Sequence, residues 1–212
     1  GTDKLGVQAI GNQTGVLLSL GAQDNVIGGA AANSRNIISG NISSGVRIID
    51  ANSSGNSILN NWIGLNATGD VPLANTLYGI EIAQGASANQ LLDNLVSGNN
   101  LGGIKLGDTT TGNTLARNRV GLNSGGTLAI GNGAEGLGIW ITNATDNMIG
   151  GESATLGNFI VGNQGDGIRI SGNSTLNRIE GNDFGLTNSP TSLGNGRHGI
   201  VLDGVDVKNN TI

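Results

Sequence analysis

Seven positions spaced along the chain carry the side chains best suited to chemistry: Leu17, Arg47, Glu81, Lys105, Trp140, Arg169 and Val201. Each is the free position of a stretch reading glycine, apolar, free, apolar, as in Gly167-Ile168-Arg169-Ile170. In an extended strand the free position faces away from its apolar neighbours, so the seven would form an outward row if the stretches stack. Trp140 could then serve as a stacking platform in a groove that accepts a polymer, and Lys105 and Arg169 could contact its anionic groups. Arg47, Glu81 and Lys105 alternate in sign, which also fits a plain ladder of surface ion pairs worth about 0–1 kcal/mol each. Tyr78, Asp166 and His198 lie just ahead of the same stretches. A carboxylate beside an imidazole can do general acid–base work, which makes Asp166 and His198 the catalytic candidates. The other carboxylates considered, Glu135, Asp203 and Asp206, show no spacing that fixes a pair for glycoside hydrolysis.

These residues need elements that bring distant positions together. The glycine markers at 15, 45, 79, 103, 138, 167 and 199 recur every 24 to 35 residues, a period that means a solenoid. Two further apolar segments follow each marker, both opened by asparagine. One column runs Asn25, Asn56, Asn89, Asn113, Asn147, Asn177, Asn210, and the other Asn36, Asn61, Asn94, Asn118, Asn158, Asn182. Segments this short and rich in β-branched residues read as strands. Three strands per turn, joined by Gly and Asn, predict an all-β, right-handed parallel β-helix of about six to seven coils filling one domain, 1–212. Stacked asparagines should hydrogen-bond one another as amide ladders do.

Long connections at 1–14, 64–78, 121–137 and 185–198 alternate with short links such as Ser39–Ser44, so the full repeat is a pair of coils. The Gly-Gly connections 28–35 and 150–157 correspond in the same way. The middle positions Ile37, Trp62, Leu95 and Phe159 of the third strands predict an apolar outward stripe, covered by the long connections or used for self-association. Both ends lie inside a repeat, so the chain reads as a fragment of a longer stack or as one that meets another copy through its open coils.

Composition limits the partners. The chain holds 39 Gly, roughly thirty Asn, 2 Pro and no Cys, with a net charge of -5. That is too much Gly and Asn for a helical protein. The acidic balance argues against nucleic acid, which needs clustered Lys and Arg. No apolar run approaches the ~20 residues of a membrane span, so no membrane insertion is expected. No His or Cys cluster and no nonapeptide calcium repeat is present, so neither a metal site nor a cofactor is expected.

The recurring Asn-x-Ile, Gly-Asn and Gly-Ile-x-Ile coils, as in Ile160-Val161-Gly162-Asn163 through Ile170, resemble the parallel β-helix repeats of the pectin-lyase-like superfamily. The paired-coil pattern is similar to repeats of large bacterial surface and secreted proteins. The resemblance covers essentially the whole chain. It implies an extracellular or cell-surface bacterial protein with a polysaccharide partner, acting as a rigid scaffold with a glycan groove. The alternative it implies is a polysaccharide lyase, hydrolase or epimerase in the same groove. Of the polygalacturonase-like motifs only Arg197-His198-Gly199 is approximated, and the row offers one acid, Glu81, where calcium-dependent lyases need an acidic cluster.

Overall fold

The computed structural model describes residues 1–133, 136–185 and 193–212. Glu135 and part of the 185–198 connection lie outside the described residues. The strands, numbered along the chain, fall into three parallel sheets that wind into a β-solenoid. The glycine-led sheet holds β1 (Val16–Leu18), β4 (Val46–Ile48), β7 (Tyr78–Ile82), β10 (Gly102–Gly107), β13 (Leu137–Thr142), β16 (Ile168–Ser171) and β18 (Ile200–Asp203). The second holds β2 (Val26–Gly28), β5 (Ser57–Leu59), β8 (Gln90–Leu92), β11 (Thr114–Ala116), β14 (Met148–Gly150) and β17 (Arg178–Glu180). The third holds β3 (Ile37–Ile38), β6 (Trp62–Ile63), β9 (Leu95–Val96), β12 (Arg119–Val120) and β15 (Phe159–Ile160). Three strands per coil and about six turns match the β-helix expected from the repeat. The segments at Asp183 and Thr211, expected as strands, form single bridges to Phe159 and Arg178.

Register between coils is one to one, so apolar residues stack in columns. Val46, Ile80, Ile104, Ile139 and Ile168 form one inward column, and Ile48, Ile82, Leu106, Ile141 and Ile170 another, all essentially inaccessible to solvent. Each such side chain contributes about 1.5–3 kcal/mol through burial. The leading glycine of every motif but the last, at Gly199, is required by closeness. A Cβ on Gly103 would lie 2.4 Å from the Gly138 carbonyl oxygen of the next coil, and one on Gly138 would lie 2.6 Å from that of Gly167.

Asparagine ladders form the corners. Both expected columns are present, and a third runs Asn12, Asn41, Asn75, Asn99, Asn132, Asn163, Asn195, at the corner that leads into the glycine-led sheet. Within a ladder the usual pattern is an Oδ1 that accepts from both the backbone N–H and the Nδ2 of the preceding coil's asparagine, as Asn94 does from Asn61 at 2.9 and 3.2 Å. At the second sheet the residue before each ladder asparagine is left-handed: Asp24, Gly55, Ala88, Gly112, Asp146, Leu176 and Asn209 have φ between 53° and 68°. Ala88 and Leu176 have no preference for that region, where an L residue loses about 1–2 kcal/mol. The ladder bonds impose it.

Three of the long connections, those beginning at residues 1, 64 and 121, carry small hairpin lobes. Thr2 pairs antiparallel with Ala9, Leu65 with Pro72 and Leu122 with Ala129. Each lobe is tied by one side chain: Asp3, Asn66 and Asn123 accept backbone N–H bonds through Oδ1. Bonds from the Gln8 and Val7 amides hold the Asp3 carboxyl below its usual pKa range. The lobes stack directly on one another, with the Ala67 amide donating to Gly6 O and the Ser124 amide to Gly69 O, which makes the two-coil period physical. The two Gly-Gly connections also correspond, each carrying a short 3-10 turn, Ala32–Ser34 and Ala154–Leu156.

The outward apolar stripe expected on the third sheet is interrupted. Leu95 is buried beneath Leu65 and Ile130 of the lobes, and Trp62 packs against that cluster. Arg119 stands between Leu95 and Phe159 in register, so a cation splits the row. The lobes bury it in the middle because their own apolar residues need cover.

Candidate functional site

The glycine-led sheet brings the seven predicted side chains into one row. Leu17 pairs with Arg47, Arg47 with Glu81, Glu81 with Lys105, Lys105 with Trp140, Trp140 with Arg169 and Arg169 with Val201, each one coil from the next. Residues 24 to 35 apart in sequence thus become neighbours at the ~4.8 Å strand spacing.

The row is linked internally by charge. Glu81 is 8% exposed and bonds both neighbours: Arg47 Nε donates to Oε2 at 3.0 Å and Lys105 Nζ to Oε1 at 3.4 Å. Ser44 Oγ donates to the same Oε2 at 3.4 Å. Arg169 pairs with Asp203 on the adjoining coil. Arg47, Lys105 and Arg169 therefore already hold carboxylates, and the last two are the cations expected to meet anionic groups of a ligand. Glu81→Gln is expected to cost about 1 kcal/mol in urea unfolding, with the loss shrinking as salt screens the partly exposed pairs.

Sequence spacing did not join Tyr78 to this row, and the structure does. Its Cα partner is Gly102, and a Cβ there would lie 3.2 Å from the Tyr78 ring, so the missing side chain leaves the ring its place. Tyr78 and Trp140 ring centroids are 6.4 Å apart, tilted 46°. Lys105 Nζ lies 5.6 Å from the Tyr78 centroid and 5.7 Å from that of Trp140, a cation shared by two rings. Trp140 Nε1 donates to Ser171 Oγ at 2.8 Å, which fixes the indole while leaving it partly exposed. The middle of the row thus presents the partly exposed Trp140 indole beside a Tyr78 ring that is itself only 6% exposed.

Asp166 and His198 also meet. His198 Nδ1 lies 2.8 Å from Asp166 Oδ1, and the His198 amide reaches the same oxygen at 3.3 Å. Asp166 is 2% exposed, whereas the His198 side chain is 60% exposed. A carboxylate so placed orients an imidazole and leaves its second nitrogen toward solvent. The remaining acids do not gather: Asp203 is taken by Arg169, and Asp206 lies 3.8 Å from Lys208. Among the described residues no group of three or more His, Cys, Asp or Glu could hold a metal ion, and no helix is long and apolar enough to cross a membrane.

Compared with known protein families, with curated proteins and with solved structures, the chain shows no match. The class defined by fold and site is accordingly a parallel β-solenoid with asparagine-ladder corners and one aromatic, charge-paired row on the glycine-led sheet.

Proposed function

We propose that the protein is a rigid extracellular scaffold of the bacterial surface or secreted type, related to the pectin-lyase-like superfamily, that binds polysaccharide along its glycine-led sheet. The observation that carries this reading is the Tyr78–Lys105–Trp140 cluster, set in the middle of an unbroken outward row. An indole held in place by Ser171 offers an apolar face at little entropic cost, and the flanking paired charges offer polar edges to sugar hydroxyls. Because Arg47, Lys105 and Arg169 already hold Glu81 and Asp203, stacking rather than net charge would select the ligand.

A second reading, cleavage of a glycan in the same groove, is favoured by the 2.8 Å Asp166–His198 contact, with His198 as acid–base group and Asp166 orienting it. One experiment tests both. Calorimetric titration with neutral and acidic oligosaccharides is expected to show binding that Trp140→Ala weakens at least about tenfold, with no new chain ends. Unsaturated ends would mean a lyase, and new reducing ends a hydrolase; either must vanish in His198→Ala to place the chemistry at the dyad. If no glycan binds the parent protein, the groove has no such role.

A further inference from the structure

A second concavity lies away from the glycine-led sheet, where the second strands turn into the third. It is a cleft of about 300 Å³ lined by Arg35, Trp62, Asp93, Arg117, Arg119 and Ser124 among others. Three separate parts of the fold supply its guanidinium groups. Arg35 closes the short 3-10 turn and places its guanidinium carbon 3.9 Å above the Trp62 ring. Arg117 occupies the left-handed corner position before ladder residue Asn118, and Asp93 the same position one coil earlier, with φ of 56° and 60°. Stacking of the coils sets the two side by side, and Arg117 donates through Nε and Nη2 to both Asp93 oxygens at 2.8 Å. The bond to Asp93 raises the pKa of Arg117 further above its usual value, so the cation is permanent. Arg119, the first residue of β12, donates through Nη1 to the Ser124 carbonyl of a hairpin lobe at 2.9 Å.

Two guanidinium groups, Arg117 and Arg119, therefore face the Asp93 carboxylate, in a chain whose net charge is -5 and which has 10 Lys and Arg in all. In the paired row each of Arg47, Lys105 and Arg169 meets an acid, whereas here Arg119 donates to a backbone carbonyl. A concave site with an excess of one charge focuses potential and draws the opposite sign. Both positioned forks are held in plane, Arg117 by Asp93 and Arg119 by the lobe, so little side-chain freedom is lost when an anion arrives. Trp62 is not a stacking platform here: Arg35 covers one side of the ring, and the indole packs on the Leu65, Leu95 and Ile130 cluster. The recognition chemistry is that of guanidinium with oxyanion.

We propose that this cleft is an oxyanion-binding site that takes a carboxylate, sulfate or phosphate group, either free or carried on a saccharide, between Arg117 and Arg119. A site of this volume is at the small end of ligand pockets and suits one charged group with at most a single sugar ring. The proposal is independent of glycan binding on the glycine-led sheet, since the two sites share no residue.

The test is calorimetric titration at constant low ionic strength with sodium sulfate, inorganic phosphate, glucuronate and, as neutral control, glucose. Saturable binding of the anions but not of glucose is expected. Arg119→Gln should weaken it about tenfold, the loss of a charge-assisted contact. Asp93→Asn should strengthen it several-fold, because it removes the one negative group while keeping a residue that tolerates the left-handed corner. A merely structural role for these residues would give no such opposite signs. Arg119→Lys, which keeps the charge and loses the fork, should fall between parent and Gln, and guards against a Gln variant that misfolds. Equal binding of sulfate and glucuronate would identify the free anion as sufficient, and tighter glucuronate binding a sugar-borne group; both support the site. Absence of anion binding, equal binding of glucose, or an unchanged affinity in a folded Arg119→Gln protein would overturn it.

Discussion

Gly121→Ala is expected to lower stability by about 3–6 kcal/mol and to leave the protein largely unfolded or with a steeply reduced urea midpoint. Gly121 follows β12 of the third sheet and begins the third hairpin lobe. Its φ is +101°, a conformation that alanine rarely adopts. A Cβ there would lie 2.0 Å from the Val161 carbonyl oxygen and 2.8 Å from the Asn163 side-chain oxygen of the next coil. Neither can yield cheaply: one is backbone in the solenoid wall, and the other belongs to the third ladder. Strain at the residue and the clash with its neighbour therefore add. Gly126→Ala, at the tip of the same lobe with φ +68°, meets only the end of Arg119 at 4.0 Å. It should cost only about 1–2 kcal/mol. Urea unfolding of the two variants against the parent measures the difference, and equal costs would refute the interlock between coils.

Asn94→Ala should cost about 3 kcal/mol, far more than removal of an exposed asparagine. Asn94 is 1% exposed and sits mid-ladder. Its Oδ1 accepts from the backbone amide and Nδ2 of Asn61, and its Nδ2 donates to Asn118 Oδ1 at 3.0 Å and to Ile58 O at 2.7 Å. Truncation strands these partners in a buried site, so each loses a bond and retains its desolvation cost. Asn25, exposed at the first coil of its column, should cost under about 1 kcal/mol when changed to alanine. Asn94→Asp should be at least as harmful as Asn94→Ala, since a carboxylate cannot make the two donations and would be buried charged or protonated. A flat response along the column would mean that the ladder is ornament to the hydrophobic stack.

Much of this architecture is written in the chain because it is periodic in two independent ways. Alternation within Gly-Ile-x-Ile decides which side chains point inward, and recurrence of the motif decides which coil each belongs to. With one-to-one register, the order Leu17, Arg47, Glu81, Lys105, Trp140, Arg169, Val201 follows residue by residue, and two asparagine columns follow equally. The third ladder left a signal as well: Asn41, Asn75, Asn99, Asn163 and Asn195 each stand four residues before a marker glycine. Insertions of changing length ahead of those asparagines hid it, and before Gly15 and Gly138 the interval is three and six.

Tertiary structure alone decided the rest. That Leu176 and Ala88 take left-handed corners follows from ladder bonds to other coils, against their own preference. Tyr78 joins Lys105 and Trp140 because Gly102 of the next coil leaves room. Leu95 is covered because two lobes close over it, while Arg35, Arg117 and Arg119 converge through a corner, a strand and a short turn that no single spacing relates. The physical reason is the difference between backbone and side-chain constraint. Coil-to-coil hydrogen bonds lock backbone columns from a short repeating pattern, whereas side-chain directions and lobe contacts answer to neighbours that exist only after the coils have stacked.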